Sequence, residues 1–343
     1  MESSSPVTLN DVADEAGVSL ATASRVLNGS VRKVAESYRE RVMAAAERLG
    51  YAPNLSAQAM AKGRANIVGL LVGDIADPYF SAITSGAMAA ADEAGLVVTV
   101  AVTGRDADRE LTTVRALRGQ RPRAIILAGS RFSDATLEAE LTAELEVFRQ
   151  GGGRVVFISQ SGLGFDTVRI DNAGAARGLG ERMASLGYRS AAVVAGPEAL
   201  ITSTERAVGF TAGFRAGGGD VVRTARGDFT RDGGFAAGEH LAASGVSDVD
   251  IIFATSDIMA VGAMSALRRA GITPGADVGI AGFDDISTAR DVTPPLTTVE
   301  IPLESIGRSA VELALGEGDG GVPDPVSGPV LVRESTPGVG ARA

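Results

Sequence analysis

Carboxylates and hydroxyls stand directly after apolar runs that we interpret as strands. The side chains in these positions are Asp74, Asp77, Ser130, Ser159, Asp257 and Asp284. In open sheets of parallel strands, ligands bind outside the carboxyl ends of the strands. Side chains that donate and accept hydrogen bonds at that edge predict a pocket for a polar small molecule.

A second group of residues, near the N-terminus, has types that suit contact with DNA. A predicted helix beginning at Ser19 exposes Leu20, Ala21, Thr22, Ser24 and Arg25. A helix-turn-helix reads base edges from the first turns of its second helix, and an arginine can fork onto guanine O6 and N7. The same spacing also fits a plain three-helix bundle with a solvated face, and spacing alone does not separate the two.

Three short helices over residues 8–50 would position this DNA-facing group. Thr8 and Asp11 have the spacing of a capping box, and Gly17 is expected to end the first helix. The third helix is predicted over about Glu36 to Leu49, where Ala35 offers no capping hydroxyl. Apolar residues repeat with helical period at Leu9, Val12, Ala13 and Ala16.

From Ile67 onward the pattern changes to strands that alternate with helices of 10–16 residues. Such alternation predicts an α/β body built from doubly wound parallel sheets. Two runs of four strands predict two similar lobes. The predicted strands are Ile67–Val72, Leu96–Val102, Ala124–Ala128 and Val155–Ser159, then Ala191–Ala195, Val221–Thr224, Ile251–Ala254 and Val278–Phe283.

Composition narrows the function classes. The 343 residues include no cysteine and one histidine, so we expect no disulfide and no thiolate or histidine metal site. We also expect no cofactor. The net charge is −10, yet residues 1–64 carry eight basic and seven acidic residues against 24 and 35 in the rest. The acidic excess therefore lies in the body, which leaves DNA binding by the N-terminal part open.

Two other classes of protein are weighed against a DNA-binding regulator. An exported sugar-binding protein would share the body, but Met1 to Leu9 lacks the features of an export signal, and we expect a cytoplasmic protein without membrane spans. An enzyme is disfavoured because Gly178 and Gly180 lie inside a helical pattern, away from any strand-to-helix phosphate loop. His240 also lies in a helical pattern, with no nucleophile beside it.

The segments VTLNDVADEAGVSLATASRVLNGS (Val7–Ser30) and LGYAPNLSAQAM (Leu49–Met60) closely resemble the LacI/GalR family of repressors. The resemblance continues through the body in DPYF, VRIDNAGAARGLGERMASLGY, SDIMAVGAM, DVGIAGFDD and PPLTTV. It implies an all-α helix-turn-helix head joined to two periplasmic-binding-protein-like lobes. The implied function is a homodimeric repressor whose affinity for a pseudo-palindromic DNA operator is controlled by a small effector.

The resemblance also implies roles for residues of the head. Leu20, Ala21 and Arg25 stand where the family reads bases. Residues at phosphate-binding positions are Thr8, Ser19, Thr22, Ser24, Asn28 and Tyr51. Arg32 adds a further possible phosphate contact in the loop before the third helix. Asn54 and Ala57 fall on a hinge helix, and Met60 takes the place of the apolar wedge that kinks the duplex.

In the body, the resemblance assigns effector binding to Arg206 and Asp284, with an apolar floor of aromatic side chains. The full predicted set is Asp77, Tyr79, Phe80, Ser130, Ser159, Gln160, Thr202, Arg206, Phe229, Asp257 and Asp284. Leu200 replaces an arginine of purine-responsive members, which favours a sugar or sugar derivative. Tyr188 stands where histidine is usual and is expected to change only a surface contact.

The expected domain boundaries follow the same resemblance. The helix-turn-helix domain is expected over 1–53 and the hinge helix over 54–64. The N-terminal effector lobe is expected to combine 65–170 with 294–327, and the C-terminal lobe to combine 171–293 with 328–343.

Overall fold

The computed structural model describes residues 7–27, 34–52, 65–131, 133–160, 164–316 and 324–339. The chain divides into two compact units, Met1–Ala65 and Asn66–Ala343. We call the first unit the head and the second the body. The predicted positions Asn28, Arg32, Asn54, Ala57 and Met60 lie outside the described residues.

The head has three described helices: α1 (Leu9–Ala16), α2 (Leu20–Leu27) and α3 (Glu36–Leu49). Thr8 and Asp11 form the predicted capping box at the start of α1. Gly17 ends α1 with φ of 62°, in the left-handed region that glycine favours. Ala35 provides no side-chain cap for α3, as expected.

The core of the head is small and rich in alanine. Its buried members are Val12, Ala13, Ala16, Ala23, Val42, Ala45 and Ala46. Partly buried Leu9, Val26, Leu27 and Leu49 pack around them. These are the apolar positions that helical periodicity predicts, because a helix buries one face of its cylinder.

The body contains a five-stranded parallel sheet in the order β2-β1-β3-β4-β5. Its strands are β1 (Ile67–Val72), β2 (Val97–Val102), β3 (Ala124–Ala128), β4 (Arg154–Ser159) and β5 (Asp166–Arg169). The helices between them are α4 (Pro78–Glu93), α5 (Ala107–Gly119) and α6 (Ala135–Gln150). We call this sheet with its helices the first lobe.

A four-stranded parallel sheet in the order β7-β6-β8-β9 forms the second lobe. Its strands are β6 (Ser190–Ala195), β7 (Asp220–Arg226), β8 (Ile251–Ala254) and β9 (Gly279–Ala281). The helices of this lobe are α7 (Asn172–Ser185), α8 (Ile201–Ala216), α9 (Arg231–Ala243) and α10 (Asp257–Arg269). Central strands of both sheets are buried, as continuous apolar runs in parallel sheets are expected to be.

The chain passes between the two lobes three times. After β5 it enters α7, and after β9 it returns through α11 (Thr288–Asp291) and β10 (Thr298–Val299) to α12 (Leu303–Leu315). The third passage uses β11 (Val330–Leu331), which pairs antiparallel with β10 and leads to Ser335. The Ser335 hydroxyl donates to the carbonyl of Ile280 at 2.7 Å, which ties the end of this passage to β9.

Helix α12 belongs to the first lobe through a close contact with α4. A Cβ at Gly86 would collide with the carbonyl of Glu304, and one at Gly307 would collide with the carbonyl of Ile83. Glycine at both positions lets the two helix backbones approach closely. The chain therefore returns to the first lobe after β9.

The fold differs from the sequence prediction in a few elements. Strand β5 is absent from the prediction, because it is a four-residue edge strand with alternating polar and apolar side chains. The predicted strand Val278–Phe283 shortens to β9, and the first sheet has five strands rather than four. Tyr188 is fully buried and its hydroxyl donates to the carbonyl of Pro337 at 2.6 Å, so the expected surface contact is wrong.

Candidate functional site

A cavity lies where the carboxyl ends of both parallel sheets meet. It encloses about 780 Å³, counting the part open to solvent, which falls within the ~300–1,000 Å³ typical of ligand pockets. Lining residues lie at or after the ends of strands in both lobes: Gly73, Thr103, Gly129, Ser130, Ile158 and Ile170 in the first, and Leu200, Thr202, Phe229, Ser256 and Asp284 in the second. Strand ends therefore position most of the lining.

A buried ion pair between Arg206 and Asp284 stands on the second-lobe side of the cavity. Arg206 Nη2 lies 2.8 Å from Asp284 Oδ1, and Nη1 donates to Oδ2 at 3.1 Å. The guanidinium also donates through Nε to Asn172 Oδ1 at 2.9 Å and through Nη1 to the carbonyl of Thr255 at 3.0 Å. Its carbon lies 4.0 Å from the ring centroid of Phe283. These contacts give a buried guanidinium the partners that it needs.

The backbone at Asp284 is unusual, with φ of 120°, and the following Asp285 has φ of 52°. Two successive non-glycine residues at positive φ indicate a strained turn, which surrounding contacts must hold. Asp285 is held by Arg333 Nη2 at 2.7 Å. Burial outweighs the attraction of Arg206 and raises the pKa of Asp284 to about 6, so this carboxylate is ionised at neutral pH.

Two buried polar atoms of cavity-lining residues have no hydrogen-bond partner in the described structure: Ser256 Oγ and Asp284 Oδ1. The second atom lies 2.8 Å from Arg206 Nη2, but the contact lacks the direction of a hydrogen bond and is electrostatic only. Buried polar atoms normally find partners. A ligand hydroxyl could supply both, since it donates to a carboxylate and pairs with a serine.

On the first-lobe side, Arg105 pairs with Asp77 and lies over an aromatic ring. Arg105 Nη2 donates to Asp77 Oδ2 at 2.8 Å, and its guanidinium carbon lies 5.4 Å from the centroid of Phe80. The other oxygen of Asp77 accepts from the backbone nitrogen of Tyr79 at 3.1 Å and caps α4. Burial raises the pKa of Asp77 more than Arg105 lowers it.

A second ion pair of the first lobe joins Arg131 to Glu110, with 2.7 Å between Nη1 and Oε2. The Arg131 carbonyl accepts from the backbone nitrogen of Ile201 at 3.1 Å, across the gap between the lobes. The Ser130 hydroxyl accepts from Thr202 N at 3.0 Å. Ser133 N donates to the carbonyl of Ala199 at 2.9 Å. We call these bonds between residues 130–133 and residues 199–202 the clasp.

Gln160 extends the clasp without lining the cavity. Its Nε2 donates to Thr202 Oγ1 at 2.7 Å, and its Oε1 accepts from Arg131 N at 3.3 Å. Gln160 Nε2 also donates to Glu205 Oε2 at 3.3 Å. The same Oε2 accepts from Asn172 Nδ2 at 3.1 Å, and Asn172 in turn accepts from Arg206. A continuous set of hydrogen bonds therefore joins the clasp to the buried arginine.

The structure brings eight of the predicted effector residues into the cavity lining: Asp77, Tyr79, Phe80, Ser130, Thr202, Arg206, Phe229 and Asp284. Gln160 and Asp257 are not among the lining residues, and the side chain of Ser159 lies outside the described part of the chain. Asp257 is fully buried, accepting from Ile286 N at 3.0 Å and from Thr298 Oγ1 at 2.7 Å. Burial raises its pKa to about 8.

Sequence reasoning missed six polar residues of the cavity: Thr103, Arg105, Asp106, Glu110, Asn172 and Ser256. Arg105 follows the end of β2, so the rule that selected the other strand-end residues could have found it. Asn172 follows β5, and it was missed because that strand was missed. Glu110 lies one turn into α5, where no strand-end rule applies.

In the head, the predicted DNA-facing residues lie at the start of α2. Leu20 is 48% exposed although it is apolar, and Ala21 and Arg25 are exposed. Ser19 Oγ accepts from Thr22 N at 3.2 Å and pairs with the Thr22 hydroxyl at 2.8 Å, so it caps α2. The start of α2 therefore presents side chains that the core of the head does not use.

Other predicted residues of the head take part in its local structure. The Thr8 hydroxyl donates to Asp11 Oδ2 at 2.7 Å, and Ser24 is half-buried. Tyr51 is half-buried against the head core, and its backbone nitrogen donates to the carbonyl of Ala46 at 2.8 Å.

Within the described ranges, His, Asp and Glu side chains nowhere form groups of three that could ligate a metal ion. Of the described helices, none combines the length and apolar content of a membrane span.

Comparison with known proteins gives two family matches. Residues 8–54 match the bacterial regulatory proteins of the lacI family, and residues 65–321 match the periplasmic binding proteins and sugar binding domain of the LacI family. The HTH-type transcriptional regulator CelR of Thermobifida fusca is 33% identical over 339 residues, covering 96% of this chain and 98% of that protein. The relatives are transcriptional regulators rather than enzymes.

Solved structures agree with these matches. The Lac repressor dimer bound to operator and the anti-inducer ONPF superposes with a TM-score of 0.81 at 27% identity, covering 97% of this chain and 99% of that one. The CelR–cellobiose complex has a TM-score of 0.67 at 31% identity, covering 96% and 99%. The match over the head favours a regulator over the exported sugar-binding protein. The chain belongs to the LacI family of bacterial transcriptional regulators.

Proposed function

We propose that this protein is a transcriptional repressor whose affinity for operator DNA is controlled by a sugar or sugar derivative in the body cavity. The observation that carries the proposal is that two residues lining a cavity between the lobes, Ser256 and Asp284, each have a buried oxygen without a hydrogen bond. In the same chain, a helix-turn-helix head binds the operator. The remaining cavity residues act in binding rather than catalysis, and the protein acts in the cytoplasm.

The proposed DNA contacts combine base reading and phosphate binding. Leu20, Ala21 and Arg25 read bases, because they are exposed on the first turns of α2. As a homodimer, the protein would present two heads to an inverted repeat, since two-fold symmetry in the protein requires it in the operator. The predicted hinge and wedge residues Asn54, Ala57 and Met60 complete this proposal, as do the predicted domain boundaries.

The proposed control is a linkage between the cavity and DNA. An effector shifts an equilibrium only by its different affinity for two conformations. The clasp and the network through Gln160 and Asn172 join the lobes on one side of the cavity, so a ligand there would change the free energy of lobe closure. The proposal assigns the difference in operator affinity to this change.

Cellobiose is the first ligand to test, because the CelR structure with which the chain superposes is a cellobiose complex. The operator would be selected from duplexes with random inverted half-sites, and its dissociation constant measured by fluorescence anisotropy. Sugars and nucleosides would then be screened for a rise in Tm, which reports binding to the folded state. Each ligand that raises Tm would be added to the operator assay.

Two variants separate the parts of the proposal. Arg206→Ala is expected to abolish the effector response. In a separate variant, Arg25→Ala is expected to weaken operator binding. A wild-type dimer with no preference for any inverted repeat over random DNA, with and without sugars, would refute the proposed function.

A further inference from the structure

The charged side chains of the cavity lining are satisfied within the protein. Arg206 pairs with Asp284 and Arg105 with Asp77, both at 2.8 Å. Glu110 pairs with Arg131 at 2.7 Å. An arginine that is already held by a carboxylate can bind an anion only by giving up that partner, which leaves a buried charge uncompensated.

The balance of charge in the lining is negative. Four carboxylates line the cavity, those of Asp77, Asp106, Glu110 and Asp284, against the two guanidiniums of Arg105 and Arg206. Arg131 offsets Glu110 from behind the lining, and one carboxylate still remains in excess. Like charges repel more strongly in a partly buried cavity than in water, so a phosphate or carboxylate group would meet an unfavourable potential.

Helix N-termini, which commonly bind anions, are also occupied at this cavity. The Asp77 carboxylate caps α4, and Asp106 Oδ1 accepts from Arg109 N at 2.7 Å at the start of α5. The first amides of α8 donate to the clasp: Ile201 N to Arg131 O and Thr202 N to Ser130 Oγ. These three helix starts therefore leave their first donors bonded to protein groups.

The remaining polar atoms and apolar faces of the cavity are suited to a ligand with hydroxyl groups. Ser256 Oγ has no hydrogen-bond partner, and Asp284 Oδ1 has only its ion pair with Arg206. A carboxylate oxygen can only accept. Apolar surface comes from Phe80, Leu200 and Phe229. Hydrogen-bond acceptors beside apolar faces match a molecule that donates through hydroxyls and packs through its C–H faces.

We infer that the effector is an uncharged, hydroxyl-rich molecule and that the cavity discriminates against phosphorylated or carboxylated sugars. This inference rests on the proposed function, because it specifies the charge of the same effector. The proposed function does not distinguish neutral from charged sugars, whereas this inference does. Free sugars and glycosides bind, and sugar phosphates, uronates and aldonates do not.

The test uses the full chain and pairs of probes that differ only in charge. Glucose is compared with glucose 6-phosphate, ribose with ribose 5-phosphate, galactose with galacturonate, and cellobiose with cellobionate. Tm shifts and titration calorimetry are measured at pH 7.5 and constant ionic strength. For every skeleton that binds, the neutral member is expected to bind at least ~10-fold more tightly. An anionic member that binds more tightly than its neutral counterpart overturns the inference.

Asp77→Asn tests the same inference without knowledge of the effector. Asparagine still caps α4, but Arg105 loses the carboxylate that neutralises it. Inorganic phosphate is the probe, and its effect on Tm is compared between the variant and the wild type. Because the two proteins have identical heads, phosphate binding to the head cannot cause a difference between them. The matched control is Asp74→Asn, since Asp74 lies 3.8 Å from Arg105 and does not line the cavity.

Phosphate is expected to raise the Tm of Asp77→Asn more than that of the wild type or the control. Equal responses would overturn the inference, because Asp77 would then not be what excludes anions. If no sugar binds while the phosphate difference is present, the sugar assignment in the proposed function fails and the charge inference stands. If a sugar phosphate binds tightly and releases DNA, the proposed function stands and the charge inference fails.

Discussion

The head and the cavity of the body use side chains in opposite ways. In the head, the residues proposed to read bases are exposed, and polar contacts such as that of Thr8 with Asp11 join residues three positions apart. In the cavity, Arg206 and Asp284 are buried and 78 positions apart in sequence. The helix ends of the head therefore follow from local patterns, whereas the cavity depends on long-range pairing of charges.

This difference explains what could be predicted from the sequence. Helical period and capping patterns in the head follow from neighbours in the chain, and α1 and α3 lie where predicted. Central strands of the body were also predicted, because their apolar runs are continuous. The resemblance placed Arg206 and Asp284, but no spacing rule could show that Glu110 pairs with Arg131 or that Gln160 bonds to Thr202.

The missed residues have physical reasons as well. Edge strands such as β5 need only one apolar face and carry a weak signal. Asp257 and Asp284 both follow strands and look equivalent in sequence, yet only Asp284 lines the cavity. Backbone conformation separates them: Asp284 has φ of 120°, which a sequence pattern does not predict.

The largest expected effect is on the buried pair of the cavity. Arg206→Ala leaves the Asp284 carboxylate buried without its guanidinium, and we expect the body to lose ~3–5 kcal/mol of unfolding free energy. Chemical denaturation followed by circular dichroism measures this loss. The matched control is Arg177→Ala, an exposed pair with Glu181 on α7, which should change stability by less than ~1 kcal/mol. Similar losses for the two variants would break the comparison between buried and exposed charges.

A smaller effect is expected at the head, and on DNA rather than on stability. Arg25→Ala should weaken binding to the selected operator by ~1–3 kcal/mol because it removes a contact to a base edge. Arg39→Ala is the control, since Arg39 is exposed on α3 outside the predicted reading helix. Fluorescence anisotropy with specific and random duplexes measures both. Equal loss on the two duplexes would assign Arg25 to phosphate binding instead.

The pH dependence of effector binding is expected to follow Asp284. Its pKa of about 6 means that protonation below that pH removes a negative acceptor from the cavity. Effector affinity should then fall by about tenfold for each pH unit below 6, if only the ionised form binds. Titration calorimetry from pH 5 to pH 8 checks this, and an affinity that stays flat across the range would argue against Asp284 as a ligand contact.

The unfolding free energy depends on pH in the opposite direction from effector affinity. The pKa of Asp284 is raised above its ordinary value of 3.8, so the protonated form is favoured by the fold. Its contribution to stability is present below pH ~4 and is lost as the pH rises through about 6. Asp257, with a pKa raised to about 8, continues this loss to higher pH. Asp257→Asn should remove the upper part of the dependence, measured by denaturation at several pH values.

The smallest expected effect is on the stability of the head, and it tests whether a local capping contact contributes to that stability. Ala35→Ser should supply the missing cap at the start of α3 and stabilise the head by ~0.5–1 kcal/mol. Thermal unfolding of the full chain would show the change in the transition assigned to the head. The control is Ala44→Ser on the exposed side of α3, which adds a hydroxyl but no cap. A gain from both variants would show that capping is not the cause.

The three passages of chain between the lobes restrict how the body can respond. Segments that cross side by side hinder one lobe from sliding or twisting freely against the other, so bending about the crossings is the motion that costs least. Bending of this kind mainly changes the angle between the lobes. Ligands of different shape that impose the same angle would have the same effect on operator binding. A substitution at one of the three passages would alter the response to all of these ligands alike.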